Sequence, residues 1–490
     1  MTDVGRRRSA TYIVLVALIV LIALGAALGG CAVGPNYVKP DTPVAVRFEG
    51  AADLAYSQED AQAKFWTRFG DDTLNRLVDE ALAANHDLRI ALGRLMEARA
   101  ARRESLFNLA PTVTANGGYT KEQLPAVESP TGAPFQGQFY DVGFDAFWEL
   151  DFFGGVRRRI ESRTDEVQAA EATLRDAQVS VTAEVARTYF ELRGEQMELR
   201  VARANVDNQR ETLALTKARL DAGRGTELDT ARAASQLSTT LASIGPLESA
   251  AARSIHRLSV LTGREPNALN ELLTPPAELP PLPQITAVGD PAGLLRRRPD
   301  IRIAERELAA ATADIGVATA DFFPKVTFIG GVGYAAPTTH ALGQMASQSY
   351  TIAPAISWAA FDLGRVAAVV AGSRANASVA LAAYEQTVLR ALEETEDALV
   401  THAHTRDTLS DATEAAAESL AAARIARTRY EGGMVDFLDV LDAERTQLQT
   451  EERLAESRTD AAITLVAVYK ALGGGWEMAP LPRYVPQGGG

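Results

Sequence analysis

The chain carries one cysteine and five histidines in 490 residues, so the side chains that most often do covalent or metal chemistry are few. The cysteine, Cys31, closes the run LGGC directly behind an apolar stretch. His402 and His404 stand two apart on a predicted helix, where they point to different faces and do not share a metal. No glycine-rich phosphate loop follows a predicted strand, and no serine or cysteine nucleophile motif is present. The chain reads as a non-enzyme without a dissociable cofactor. What remains is a set of charged and glycine residues that occurs twice. RLDAGRGTELDTARA begins at Arg219 and RYEGGMVDFLDVLDA at Arg429. Laid together without a gap, at an offset of 210 residues, they match Arg219 with Arg429, Gly223 with Gly433, Leu228 with Leu438, Asp229 with Asp439 and Ala233 with Ala443.

The surroundings of Cys31 say what its thiol is for. Arg6, Arg7 and Arg8 lead into the apolar run Tyr12 to Leu28, which closes on small residues, the pattern of a cleaved export signal. The run is short for a membrane span and no stop-transfer pattern follows. LGGC resembles a bacterial lipobox, in which the cysteine takes a diacylglycerol, becomes the new N-terminus and receives an N-acyl chain. By the same resemblance, Ala32 in second place implies sorting to the outer membrane. A lone cysteine also means that export is not used here for intramolecular disulfides. The formal net charge of −14 disfavours nucleic acid as a partner.

Two further anchors share the 210-residue offset. FWELDFFGGV, with Trp148, Gly154 and Val156, aligns with ISWAAFDLGRV, with Trp358, Gly364 and Val366, and Gly263 aligns with Gly473. The chain reads as two copies of one unit, residues 72–264 and 291–474, preceded by a leader (1–30) and an N-terminal segment (31–71). The copies are separated by a proline-rich linker (265–290) and followed by a tail (475–490).

Each copy mixes two periodicities. Tyr140, Val142, Phe144, Ala146, Trp148, Leu150 and Phe152 alternate with Asp141, Gly143, Asp145, Glu149 and Asp151, Phe147 being the exception. That is a strand with one greasy and one wet face. Weaker alternation predicts strands near 112–122, 325–336 and 350–360 beside this one near 138–152, four per chain. The rest is helical. From Val156 to Leu220 there is no proline, and Leu192, Leu199, Val206, Leu213 and Leu220 recur at sevens, a coiled-coil spacing. At about 1.5 Å per residue such a helix runs on the order of 100 Å. A second proline-free stretch, Gly364 to Tyr430, matches it. Gly223 and Gly433 sit where these helices should close. Thr226 and Asp436 then serve as N-caps, with Asp229 and Asp439 at the third helical position. The repeated motif is therefore a tight helix-turn-helix tip, near 221–227 and 431–437.

These residues resemble a family, the outer-membrane efflux channels of the TolC and OprM kind, and among them the NodT-type lipoproteins. The resemblance rests on LGGC followed by GPNY, on FWELDFFGGVRR, on LLRRRPDIRIAERELAAATADIGVATADFFPKV, and on the two tips. It implies an α+β membrane protein that works as a homotrimer. Long antiparallel helical hairpins would form a periplasmic α-barrel, and four strands per chain would join a twelve-stranded outer-membrane β-barrel. Residues 31–71 and 265–290 would lie in a mixed equatorial belt. Physical reasoning supports the pooling of strands. Four strands with a lipid-facing side cannot close a barrel, and lipid forbids unpaired edges. Eight strands leave an interior filled by side chains, whereas twelve leave room for water.

The resemblance further implies passive export of small molecules, with a periplasmic adaptor and an inner-membrane pump, usually proton-driven and of the RND type, supplying the energy. Protein secretion through the same kind of tube, or a purely structural coiled-coil lipoprotein, are the alternatives. Arg219, Gly223, Leu228 and Asp229, with Arg429 and Gly433, would dock adaptor hairpins, six similar grooves in a trimer. Leu438, Asp442 and Arg445 match positions that constrict such channels, and Asp439 either joins them or serves only its cap. Three copies of Leu438 would plug the end, and three of Asp442 would make an acidic ring favouring cations.

Overall fold

The computed structural model of the chain describes residues 32–52, 56, 57, 59, 64–127, 134–283 and 286–474. Cys31, the leader and the tail lie outside the described residues. The longer helices are α1 (Asp72–Ala84), α2 (His86–Phe107), α3 (Gly155–Asp221), α4 (Glu227–Leu261), α5 (Pro291–Arg297), α6 (Pro299–Ala320), α7 (Leu363–Glu431) and α8 (Phe437–Ala471). The longer strands are β1 (Thr112–Leu124), β2 (Phe135–Leu150), β3 (Lys325–Ala336) and β4 (Gln348–Ser357). Two units divide these elements. One takes residues up to Pro40, Leu95–Ala170 and Ile303–Tyr384; the other takes Asp41–Arg94, Glu171–Arg302 and the residues from Glu385 on.

In the first unit the four strands form one antiparallel sheet in the order β1-β2-β3-β4. Register places Tyr119 opposite Tyr140, Val332 opposite Phe144, and Ile352 opposite Gly330. One face thus carries Val113, Tyr119, Val142, Phe144, Val332, Tyr350, Ile352 and Ile356, all exposed, Ile352 at 68 % and Ile356 at 73 %. The opposite face carries Thr112, Thr114, Asn116, Asp141, Asp145, Glu149 and Thr351, with glycines between them. Two of the carboxylates lie over glycines of the neighbouring strands. A Cβ on Gly118 would come within 2.5 Å of Asp141 Oδ1, and one on Gly331 within 3.0 Å of Asp145 Oδ1. Among the described residues the outer strands, β1 and β4, each keep one unpaired edge.

The joints between strands and helices correct the sequence reading at both ends. β2 stops at Leu150, so Asp151 and Phe152 do not extend its alternation. Asp151 instead accepts from the backbone N–H of Val156 (3.0 Å) and Arg157 (2.9 Å) and from Arg157 Nε (3.1 Å). The unpaired N–H groups that open a helix outweigh the pull of the strand pattern there. β4 likewise ends at Ser357, before Trp358. The two tryptophans take equivalent roles at the foot of the sheet. Trp148 Nε1 donates to the Leu109 carbonyl (3.0 Å) and Trp358 Nε1 to the Phe322 carbonyl (2.9 Å), beside the stacked rings of Phe153 and Phe323 (4.6 Å). Such a belt of amphipathic rings suits a membrane–water boundary.

Residues 32–36 form a strap on the same foot. The buried Arg158 donates to the carbonyls of Val33 (3.0 Å) and Gly34 (3.2 Å), to Asn36 Oδ1 (2.8 Å) and to Glu161 (2.8 Å). Gly154 (φ 79°) leaves room for it, since a Cβ there would stand 2.6 Å from the Ala32 Cα.

The second unit holds α1, most of α3, α4, α5, the later part of α7, and α8. One core centres on Phe48, Val288, Leu294, Leu399, Val468 and Leu472. Elsewhere Phe65 stacks on Tyr469 (4.7 Å), Phe69 meets Phe190 (4.8 Å), and Tyr189 donates to Asp71 (2.6 Å). The proline-rich linker is tied to α3, where Gln196 donates to the Leu273 carbonyl (2.7 Å). The seam of α3 departs from the leucine heptad. Leu199, Leu213 and Leu220 are only half-buried, whereas Ala202, Asn205, Gln209, Thr212 and Thr216 are buried. Thr212 donates to Glu444 (2.7 Å) and Asn205 to Glu451 (2.9 Å), both on α8. Thr212 and Asn205 can stand in that seam because each finds a carboxylate across it, while Thr216 turns its hydroxyl back to the Leu213 carbonyl (2.9 Å) of its own helix.

Candidate functional site

α3 and α7 close in the same way. Gly223 (φ 65°) donates to the Leu220 carbonyl (2.9 Å) and Arg224 to the Arg219 carbonyl (2.8 Å). Gly433 (φ 72°) donates to Tyr430 (2.9 Å) and Met434 to Arg429 (2.9 Å). This pair of bonds satisfies the last carbonyls of a helix and needs a left-handed residue that glycine adopts without cost. Past the turn the two segments diverge. Thr226 Oγ1 accepts from the Asp229 N–H (3.1 Å) and donates to Asp229 Oδ2 (2.7 Å), so Thr226 is the expected N-cap. Asp436 takes the cap position, but its carboxylate makes no capping bond; the Asp439 N–H reaches the Asp436 carbonyl instead (3.2 Å). The second turn is held by packing. Phe437 is buried with Tyr430, Val440, Leu441 and Ala233, its ring 5.8 Å from that of Tyr430.

The arginines at matching positions have different surroundings. The Arg219 guanidinium lies 3.9 Å from the centre of the Tyr430 ring and donates to the carbonyls of Tyr430 and Glu431, at the C-terminus of α7. A cation there gains from the ring and from the negative helix end together. Arg429 is exposed on its own tip. A second tie, Arg427 to Glu211 (2.8 Å), joins α7 about one turn before its end to α3 about three turns before its end. Tyr430 was not singled out from sequence. The available signal was a tyrosine standing 210 residues beyond Leu220, at the matching place in the aligned segments.

Leu438, Asp439 and Asp442 are exposed on α8, and so is Leu228 at the matching place on α4. Arg445 lies one turn beyond Asp442 and donates through Nε to Gln236 Oε1 of α4 (2.7 Å). α8 therefore presents an apolar residue followed by two carboxylates to its surroundings, with its nearest arginine tied to α4 of the same chain.

Further along α3 and α8, carboxylates crowd. Burial raises the Glu444 carboxyl, an effect moderated by its bond from Thr212. Burial, reinforced by Glu456, Glu195, Glu452 and Asp460, pushes the Glu198 carboxyl up from the usual 4.5 to about 7. The folded chain then holds that proton more tightly than the unfolded one. The contribution of this one group to stability is full below about 4.5 and is lost as pH rises through about 7. Glu198→Gln should accordingly melt about 2 °C above the unsubstituted protein at pH 8 and level with it at pH 4.5. Equal melting temperatures at both pH values would remove the crowding as its cause.

His402 is buried, with Nδ1 3.0 Å from Thr464 Oγ1, while His404 is exposed near Asp407 (3.9 Å). Among the described residues no three His, Cys, Asp or Glu side chains are grouped to hold a metal.

Comparison with known proteins fits this geometry. The sequence matches the family described as Outer membrane efflux protein over residues 77–264 and 291–474. The solvent efflux pump outer membrane protein SrpC of Pseudomonas putida is 32% identical over 460 residues, covering 92% of this chain and 97% of SrpC. Nodulation protein T of Rhizobium leguminosarum bv. trifolii is 29% identical over 462 residues, covering 92% and 95%. The solved structure of the outer-membrane channel OprN superposes with a TM-score of 0.87 at 42% identity, covering 92% of this chain and all of that one.

Proposed function

Because the chain belongs to the outer membrane efflux protein family, whose members it matches over nearly its whole length, we propose how this outer-membrane efflux protein does its work. Three copies pool their sheets into one twelve-stranded barrel, and their helical hairpins continue it as a periplasmic tube. A periplasmic adaptor and an inner-membrane pump of the RND type deliver small molecules, which leave passively. Apolar compounds of the solvent class, which SrpC is named for, are cargo for which this reading provides. Cys31 carries the diacylglycerol and N-acyl chains that add to membrane residence. The chain is an internal duplication, each copy supplying two strands and one hairpin.

The observation that carries the reading is the sheet. Its apolar face has no covering element among the described residues, its other face is polar and rich in glycine, and both edges are open. Lipid solvates the first face, water the second, and neighbouring copies the edges.

The inner hairpin, α7 and α8, forms the closing end. Leu438 narrows it, Asp442 rings it with negative charge, and Asp439 adds to that charge. Arg445 steadies α8 through Gln236. Arg429, Gly433, Gly223, Leu228 and Asp229 line the grooves that take adaptor hairpins, while Arg219 binds the two tips of one chain to each other. Leu438→Ala with Asp442→Ala should raise single-channel conductance severalfold in planar bilayers and weaken cation selectivity. Thr226→Ala, which removes a cap worth about 1 kcal/mol on the outer copy, should change neither. An unaltered conductance in the double variant would sink the gate assignment. Absence of any current from the unsubstituted protein would count against the duct itself.

A further inference from the structure

The polar face of the sheet has apolar exceptions, and two of them meet. Phe147 on β2 and Ile329 on β3 are direct partners, and both are exposed, at 51 % and 43 %. A wall that only conducts water has no need of a phenyl ring and a sec-butyl group side by side. Beside them, at the foot of the sheet, a cavity of about 380 Å³ is lined by Phe147, Thr112, Glu149 and Lys325 from the strands and by Arg159 from the first turn of α3. That volume lies at the lower end of the range for small-molecule pockets, roughly 300–1,000 Å³.

The charges decide which molecules suit it. Lys325 is paired with Asp321 (2.9 Å), and Asp151 is engaged by the start of α3. The lining holds three carboxylates, Glu149, Asp151 and Asp321, against two cations. Asp141 and Asp145 continue the negative charge along the same face of β2. An aromatic shelf next to net negative charge is complementary to a molecule with an apolar ring body and a cationic head.

We propose that Phe147, Ile329 and Glu149 form a resting site for amphiphilic organic cations on the inner wall of the barrel, at its foot. The proposal rests on the duct reading, since only in a closed barrel does this face meet cargo. The rings of the cargo lie on Phe147 and Ile329 while its cationic head is balanced by Glu149. Each chain contributes one complete site, so cargo pauses along the wall before leaving.

The test is current block of the full-length channel in planar bilayers. Tetraphenylphosphonium added to the bath should interrupt the current with resolvable dwell times, and tetramethylammonium at the same concentration should not. Phe147→Ser and Ile329→Ser should each shorten the tetraphenylphosphonium dwell about tenfold, and Glu149→Gln about threefold. Phe139→Ser, on the same face but outside the cavity, should leave the dwell unchanged. Equal dwell in the Phe147→Ser and unsubstituted channels, or equal block by the two cations, would overturn the site while leaving the duct intact. If no channel passes current, the duct reading falls first and the site falls with it.

Discussion

Gly333→Val is expected to abolish assembly of the proposed barrel, leaving the protein in the cell as non-oligomeric chains. A Cβ on Gly333 would stand 2.5 Å from the Val142 carbonyl oxygen and 2.9 Å from the Gly143 Cα. Both are backbone atoms, so no side-chain rotation relieves the contact, and β2 and β3 would have to part in the middle of their ladder. Backbone conflicts of this kind fall in the range of about 4–5 kcal/mol or more. Gly330→Ala serves as the control, because a Cβ there meets only Phe328 at 3.5 Å and Ala146 at 3.8 Å, ordinary packing distances. Native gel electrophoresis of membrane extracts reads the outcome. Gly333→Val protein migrating as a normal oligomer would mean that the strands are not held this close.

The second large effect belongs to Arg298. Its buried guanidinium donates to Asp300 (3.0 and 2.7 Å), to Glu394 (2.6 Å) and to the Ala471 carbonyl (2.7 Å) at the end of α8. Arg298→Met keeps the bulk but leaves two carboxylates and a helix end without their cation. Removing one partner of a buried ionic group costs about 3–5 kcal/mol, and the lower figure applies because Asp300 and Glu394 keep some contact with water. Arg298→Lys should recover only part of the loss, since one ammonium cannot span three acceptors as the planar fork does. Thermal melts decide it; Arg298→Met melting level with the unsubstituted protein would show that the cluster contributes nothing. Asp176 provides a local readout. Burial raises its carboxyl and Arg298 holds it back, so its titration should move further up in the Met variant.

Local signals in the sequence carried the parts of the fold that depend on neighbours along the chain. The alternation around Tyr140 marks β2, and the glycines at 223 and 433 mark helix ends, because period and backbone handedness are local properties. Asp151 shows the limit. In an alternating string a carboxylate that wets a lumen and one that caps the next helix look alike, and only the position of the strand's end separates them. The buried seam of α3 was hidden for a different reason. Asn205 and Thr212 read as surface residues until α8 supplies partners more than two hundred residues away, Glu451 for the first and Glu444 for the second. The contact of Arg219 with Tyr430 has the same non-local origin. Phe147 was visible in the sequence only as a break in a pattern, and its meaning came from Ile329 across the ladder.

The two halves match closely in backbone at their helix ends, Gly223 with Gly433 and Gly263 with Gly473 all having positive φ. They also part at the joint between sheet and long helix. Gly154 has φ 79° and seats the strap at Ala32, whereas its counterpart Gly364 is not left-handed and has open space where a Cβ would be. In a ring of three chains the turns would then obey an approximate six-fold axis, while the foot of the sheet obeys only a true three-fold one. A ligand that grips the turns can bind in two inequivalent but related orientations per chain, and one that recognises the strap can bind in a single orientation. The stoichiometry of any partner would therefore report which end of the symmetry it reads.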